Sequence, residues 1–238
     1  SSRSDNQKMI WIKQSQNTYS IDCARKMNKL LTTVFALAVA SVTGASFAQG
    51  IKGDAIAGER KNAMCVGCHG IIGFHASFPE VYKVPKIAGQ SPKYIVAALN
   101  GYKDGTRKHP SMRAIATSLT EQDMADLAAF YADYGGASTA VPDVPVAQPT
   151  ARAAKLMAVA NCASCHGANF NAPMPGYPKL AGQNRDYLGV AAKAYLSPDK
   201  RLIGRKHALM EGILKAQHDL GAKEFHADLS DTLDYIAA

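Results

Sequence analysis

The pattern Cys-x-x-Cys-His occurs twice in this chain, as Cys65-Val-Gly-Cys68-His69 and as Cys162-Ala-Ser-Cys165-His166. No other feature restricts the fold as strongly, because the residues around it repeat as well. Pro85-Lys-Ile-Ala-Gly-Gln90 returns as Pro178-Lys-Leu-Ala-Gly-Gln183, and Tyr94 and Tyr102 return as Tyr187 and Tyr195. Arg107-Lys-His109-Pro-Ser-Met112 returns as Arg205-Lys-His207-Ala-Leu-Met210. The offset is 97 at the cysteines, 93 at the Pro-Lys block and 98 at the methionines, and the order is kept. The chain therefore reads as two copies of one unit, 49–134 and 150–238. The joining stretch, 135–149, holds three prolines and two glycines and is expected to be an extended linker.

Within each unit the periodic segments read as helices. In the first they are 54–64, 92–102 and 120–134; in the second, 151–161, 186–196 and 229–238. Ser91 before Pro92 has the composition of an N-cap followed by proline at the first helical position. Thr120-Glu-Gln-Asp123 opens the third helix as a capping sequence, and apolar residues at 124, 127, 128, 130 and 131 form one stripe. No segment alternates convincingly with the period of a strand, so the fold class expected is all-α. Gly58, seven residues before Cys65, is expected to let the first and last helices cross closely; Lys155 stands there in the second unit, which also has a longer segment from 214 to 228.

Three chemistries use a Cys-x-x-Cys pair. Thiol redox exchange wants a βαβ context, which is missing here. A shared zinc site would need the two pairs close together, yet 97 residues separate them and each has its own histidine. Covalent haem attachment accounts for every residue of the motif: two thiols become thioethers and the adjacent histidine lies under the iron. Cys65, Cys68, Cys162 and Cys165 are thus expected to hold two haem c groups, with His69 and His166 as axial ligands. A unit of about ninety residues buries a modest core on its own, and a macrocycle supplies the missing apolar body.

The sixth ligand decides what such an iron can do. Met112 lies 43 residues after His69 and Met210 lies 44 after His166, each in the matched block. Met124 and Met157 sit on apolar stripes and read as core filler; Met64 abuts Cys65 and cannot reach the opposite haem face. Met174, in a Pro-rich loop, rivals Met210, and the duplicated His109 and His207 rival both methionines. His75, His218 and His226 have no counterpart in the other half and read as surface residues. With Met112 and Met210 as ligands, both axial sites are filled and the potential is raised, which suits electron transfer and leaves no place for substrate.

Met27 opens a short basic start, an uncharged run from 30 to 42 follows, and Ser46 and Ala48 take the spacing a signal peptidase prefers. Residues 27–48 are expected to be a cleaved secretory signal peptide, and 1–26 to be an upstream extension outside the fold. The net charge of +8 is shared: residues 1–48 carry six Lys/Arg against two Asp/Glu, and the remainder carries 21 against 17. No dense basic stripe or recognition motif supports nucleic-acid binding.

These motifs resemble those of class I cytochromes c, and the tandem arrangement resembles the periplasmic diheme cytochrome c4 family across residues 50–238. The Pro-Lys-(Ile/Leu)-Ala-Gly-Gln blocks carry the resemblance more specifically than Cys-x-x-Cys-His does. It implies that the Pro85 and Pro178 carbonyls accept hydrogen bonds from His69 and His166, and that the haems lie at the contact between the domains. It also implies a periplasmic carrier working from a quinol-oxidising complex or dehydrogenase to a terminal oxidase, with peripheral association with membrane complexes. Diheme subunits of flavocytochrome c sulfide dehydrogenase share this sequence type and make a fixed-subunit alternative. A haem enzyme with one open distal site, such as a peroxidase or thiosulfate dehydrogenase, is a third. The Arg107-Lys108 and Arg205-Lys206 pairs are candidates for contacts to propionates or to acidic partners.

Overall fold

A computed structural model describes residues 51–134, 148–171, 173–197, 201 and 203–238. The expected extension, the signal peptide and most of the linker lie outside the described residues.

In the first domain Asp54 caps helix α1 (Ala55–Lys61), accepting hydrogen bonds from the N–H groups of Ile56 and Ala57. The single expected helix over 54–64 is in fact two. Asn62 donates its N–H to the Glu59 carbonyl, closing α1 with a tight last turn, and a new helix α2 (Ala63–His69) carries both cysteines and the histidine. A hairpin of two-residue strands follows, β1 (His75–Ala76) and β2 (Tyr82–Lys83), paired antiparallel. Helix α3 (Pro92–Asp104) begins with Pro92 at its first turn, but the Ser91 side chain makes no capping bond. The turn is fixed instead by the Ser91 N–H, which donates to Gln90 Oε1 at 2.9 Å.

Strand β3 (Arg107–Lys108) then leads into helix α4 (Pro110–Ser118), and Thr120 starts helix α5 (Glu121–Asp133). Here the capping box is complete, with Thr120 and Asp123 bonding each other's backbone. Met124, Leu127, Ala128 and Tyr131 on α5 make the core with Ile95 and Leu119, and Cys65 and Ile87 pack against it. Helix α1 crosses α5, and α3 packs on α5 and α4.

The second domain repeats the plan: α6 (Ala151–Val159), α7 (Ala163–His166), α8 (Arg185–Leu196), β4 (Gly204–Arg205), α9 (Ala208–Leu220) and α10 (Ala222–Ala237). The last helix starts at Ala222, well before the expected 229, because its apolar stripe extends back to buried Phe225. Helix α6 crosses α10, and α8 packs on α9 and α10. The apolar interior forms two clusters. Cys162 packs against Phe170, Leu188 and Ile236, whereas Met210 packs against Leu156, Ala192, Leu214 and Phe225.

Residues 51–238 form one compact unit, and the seam between its domains is regular. Strand β3 of the first domain pairs antiparallel with β4 of the second, Arg107 opposite Arg205. The equivalent segments of the two halves thus meet at this pairing. Among the described residues no helix is long and apolar enough to cross a membrane.

Candidate functional site: two histidine–proline centres

Each Cys-x-x-Cys-His motif lies on a short helix, so its histidine is delivered at a helix end. In the first domain His69 Nδ1 lies 2.8 Å from the Pro85 carbonyl oxygen. In the second, His166 Nδ1 lies 3.0 Å from the Pro178 carbonyl oxygen. Proline carbonyls accept only, so each ring donates there and its Nε2 is the unprotonated nitrogen. Burial lowers the pKa of both imidazoles against the pull of these bonds, which keeps the rings neutral.

His166 is 6% exposed, and its buried Nε2 has no hydrogen-bond partner among the described residues. An unsatisfied buried nitrogen costs about 1–3 kcal/mol, and ligation by a metal is the interaction that would satisfy an unprotonated one. The donor set fits a haem iron. Around each motif the thiols are unbonded to one another, and burial pushes the Cys65 and Cys162 thiols up. That direction is opposite to the one that activates a thiolate for exchange. Among the described residues no cluster of His, Cys, Asp and Glu could hold a bare metal ion.

The methionine segments show what the duplicated histidines do. His109 is the N-cap of α4, its ring accepting from the Met112 N–H at 3.4 Å, and its Nε2 meets the Tyr82 hydroxyl at 3.1 Å. His207 caps α9 in the same way, accepting from the Met210 N–H at 3.4 Å. Both ring nitrogens of His109 are therefore engaged, and the recurrence of histidine three residues before methionine has a structural reason. Rings link the two sides of the second site, since Tyr177 meets His166 edge-on at 6.2 Å and His207 at 6.4 Å. Met124 is wholly buried in the core, Met157 packs in the cluster with Cys162, and Met64 is exposed. The Met174 side chain is 54% exposed, and its backbone N–H is tied to the Cys165 carbonyl at 3.0 Å.

Sequence reasoning missed the residues that join the two centres. Gln90 and Gln183 cross the seam, and their side-chain amides bond the Lys179 and Lys86 backbones of the opposite domain. Their duplication was visible, but nothing local in the sequence tells where a glutamine amide will point. Gly89 and Gly182 (φ 69° and 67°) occupy the left-handed corner of the hydrogen-bonded turn that aims each one.

Between the domains lies a cavity of about 230 Å³, lined among others by Tyr82, Tyr102, Arg107, Tyr187 and Arg205. Arg107 donates to the Tyr94 and Tyr102 hydroxyls at 2.9 and 3.3 Å, and Arg205 donates to the Tyr187 hydroxyl at 2.9 Å. Both guanidiniums also stack on tyrosine faces. Burial pushes the Tyr187 hydroxyl up, but Arg205 and Arg107 outweigh it and hold it at about 8. The lining favours negative charge, and the buried Arg107 Nε has no partner among the described residues.

Comparison with known proteins agrees with this picture. The family model described as cytochrome c matches residues 52–132 and again 150–238. The chain is 35% identical over 215 residues to cytochrome c4 of Pseudomonas aeruginosa, covering 88% of this chain and 98% of that one. Among solved structures, reduced recombinant cytochrome c4 from Pseudomonas stutzeri superposes with a TM-score of 0.51 at 26% identity, over 78% of this chain and 98% of that one. A thiosulfate dehydrogenase from Marichromatium purpuratum gives 0.51 at 26% identity, over 76% of this chain but only 40% of that one. The chain belongs to the cytochrome c family as a tandem, all-α, diheme electron-transfer cytochrome of the c4 type, with two covalently bound haem c groups.

Proposed function

We propose that this protein is a periplasmic shuttle for single electrons, taking them from a quinol-oxidising complex or dehydrogenase and passing them to a terminal oxidase. The observation that carries this reading is the pair of equivalent histidine–proline centres set on either side of one hydrogen-bonded seam. In this reading Cys65 and Cys68 hold one haem and Cys162 and Cys165 the other. Each thiol would hold the group through a thioether bond. His69 and Met112 would be the protein ligands of the first iron, and His166 and Met210 those of the second. Pro85 and Pro178 hold the imidazoles in place.

When bound, haem supplies a reversible one-electron couple; the chain's own residues set its surroundings. The separation of Cys162 and Met210 into different apolar clusters supports two sides of one macrocycle. The inward-facing Arg107 and Arg205 favour contacts to propionates over docking of an acidic partner, because both line the inter-domain cavity. Domains of 49–134 and 150–238 joined by 135–149, with export directed by 27–48, complete the reading.

The test is turnover between partners: membranes bearing a quinol-oxidising complex should reduce the purified protein, and oxidase-bearing membranes should reoxidise it. Failure of both would overturn the shuttle. The fixed-subunit reading draws on the likeness to thiosulfate dehydrogenase and on the exposed Ile71 and Ile72 before the β1–β2 hairpin and Val81 within it. Stoichiometric co-purification with a periplasmic dehydrogenase would favour it.

A further inference from the structure

The peptide group joining Pro85 to Lys86 is engaged at both ends. Its carbonyl oxygen faces His69 Nδ1 at 2.8 Å, and its N–H donates to Oε1 of Gln183, in the other domain, at 2.9 Å. The peptide joining Pro178 to Lys179 does the same in mirror fashion, with His166 Nδ1 at 3.0 Å and Oε1 of Gln90 at 2.8 Å. Each glutamine returns a second bond through Nε2, to the Lys86 carbonyl at 2.9 Å or the Lys179 carbonyl at 3.0 Å. Each Oε1 also accepts the following backbone N–H, from Asn184 or Ser91. Two donors on one side and a carbonyl on the other leave a single orientation for each amide. Both side chains are buried, Gln90 at 7% exposure and Gln183 at 8%.

We propose that Gln90 and Gln183 are redox-tuning residues acting across the domain seam, each polarising the proline carbonyl that holds the other domain's axial histidine. This rests on the reading of His69 and His166 as iron ligands. A hydrogen bond accepted from a peptide N–H increases the negative charge on the carbonyl of that same peptide, strengthening the next bond in the chain by roughly 10–30%. A better acceptor draws the imidazole Nδ1 proton and makes the ring more basic toward iron. More donation stabilises the ferric state, so an intact relay lowers the potential. Each haem is thus tuned from the opposite half of the chain. A clasp that only glued the domains together would act on both haems alike, and that difference makes the proposal testable.

The test uses the full-length protein with both haems attached, titrated spectroelectrochemically, with the two waves assigned to domains from the NMR of haem-neighbouring residues. Gln90→Met keeps the volume and removes the acceptor. It should raise the domain-two wave by a threefold to tenfold change in oxidised-to-reduced ratio at fixed potential, tenfold being about 59 mV, and leave the domain-one wave nearly still. Gln183→Met should do the reverse. Gln90→Glu keeps an oxygen toward the Lys179 N–H with added charge, so it should move the domain-two wave downward; this sign carries the test if the methionine variant does not accumulate. Lys193→Ala breaks the exposed cross-domain pair with Glu80, outside the relay, and should move neither wave. The relay is refuted if Gln90→Met moves the domain-one wave, both waves equally, or neither, or if Lys193→Ala reproduces its effect. Failure of the ligand reading would show separately, as the absence of hyperfine-shifted His69 and His166 ring protons in the unsubstituted protein.

Discussion

Replacing Gly58 by alanine tests whether the helix crossing in the first domain is as close as described. A Cβ built on Gly58 would collide with the Asp126 carbonyl oxygen and lie 2.7 Å from the Phe130 Cβ. Neither neighbour can swing aside, since one is backbone and the other is fixed to it. Relief requires helices α1 and α5 to separate by about 1 Å, and a gap of that size forfeits a quarter to a half of the contact energy along the seam. Overpacking of this kind costs about 1–3 kcal/mol. Alanine's better helix propensity recovers about 1 kcal/mol at most, because α1 is short and part of that gain is lost at its ends. The net expectation is a loss of about 1–2 kcal/mol, which lowers the urea midpoint of the first domain by roughly 0.5–1 M for m near 2 kcal/mol per M.

The assay is urea unfolding of the haem-loaded protein, with a matched variant in the second domain as reference. There the corresponding position is Lys155, whose exposed side chain reaches only a loose 3.8 Å pairing with Asp228. Lys155→Ala should therefore shift the midpoint by little, as exposed pairs contribute about 0–1 kcal/mol. A Gly58→Ala protein as stable as the parent, or more stable, would refute the close crossing.

Other outcomes follow from the same geometry. Met112→Ala and Met210→Ala should each remove about half of the iron–sulfur charge-transfer absorbance and lower the potential of one haem, read by ferric optical spectra and redox titration. His109→Ala should cost about 1 kcal/mol by removing the cap of α4 while keeping Met112 ligation at neutral pH, so the charge-transfer band persists but bleaches at lower temperature. A band left unchanged by Met112→Ala would instead make the histidine the ligand. The carboxyl groups of Asp123 and Asp126 are held below the usual range, chiefly by Lys61. Their contribution is present above the unfolded value near pH 4 and is lost as pH falls through the depressed values, so the first domain should weaken in acid. Asp126→Asn should flatten that dependence in urea midpoints taken between pH 5 and 2.

Much of the site could be read from the sequence because its parts are local and duplicated. The Cys-x-x-Cys-His motifs, the capping box at Thr120 and the stripe on α5 each depend on residues within a few positions of one another. The helices carrying the methionines were not legible as helices. Each begins on a histidine cap, and α4 also has a proline and few apolar residues, so neither composition nor period marks it. The seam was hidden for a different reason. Gln90 and Lys179 are 89 residues apart, and the β3–β4 bridge is only two residues long on each side. Contacts of that range leave no periodic trace; here the repeat of the Gly-Gln pair was the one available signal, and it told of importance without telling of direction.

The reading depends above all on two irons that are saturated by the protein. The most direct measurement is the optical spectrum of the ferric protein as purified, with haem counted by pyridine haemochrome, followed by exposure of the reduced form to carbon monoxide. Two covalent haems per chain, both low-spin with an iron–sulfur charge-transfer band, and no carbon monoxide adduct are predicted. A high-spin or water-bound ferric iron, or ready formation of an adduct at either haem, would contradict the account.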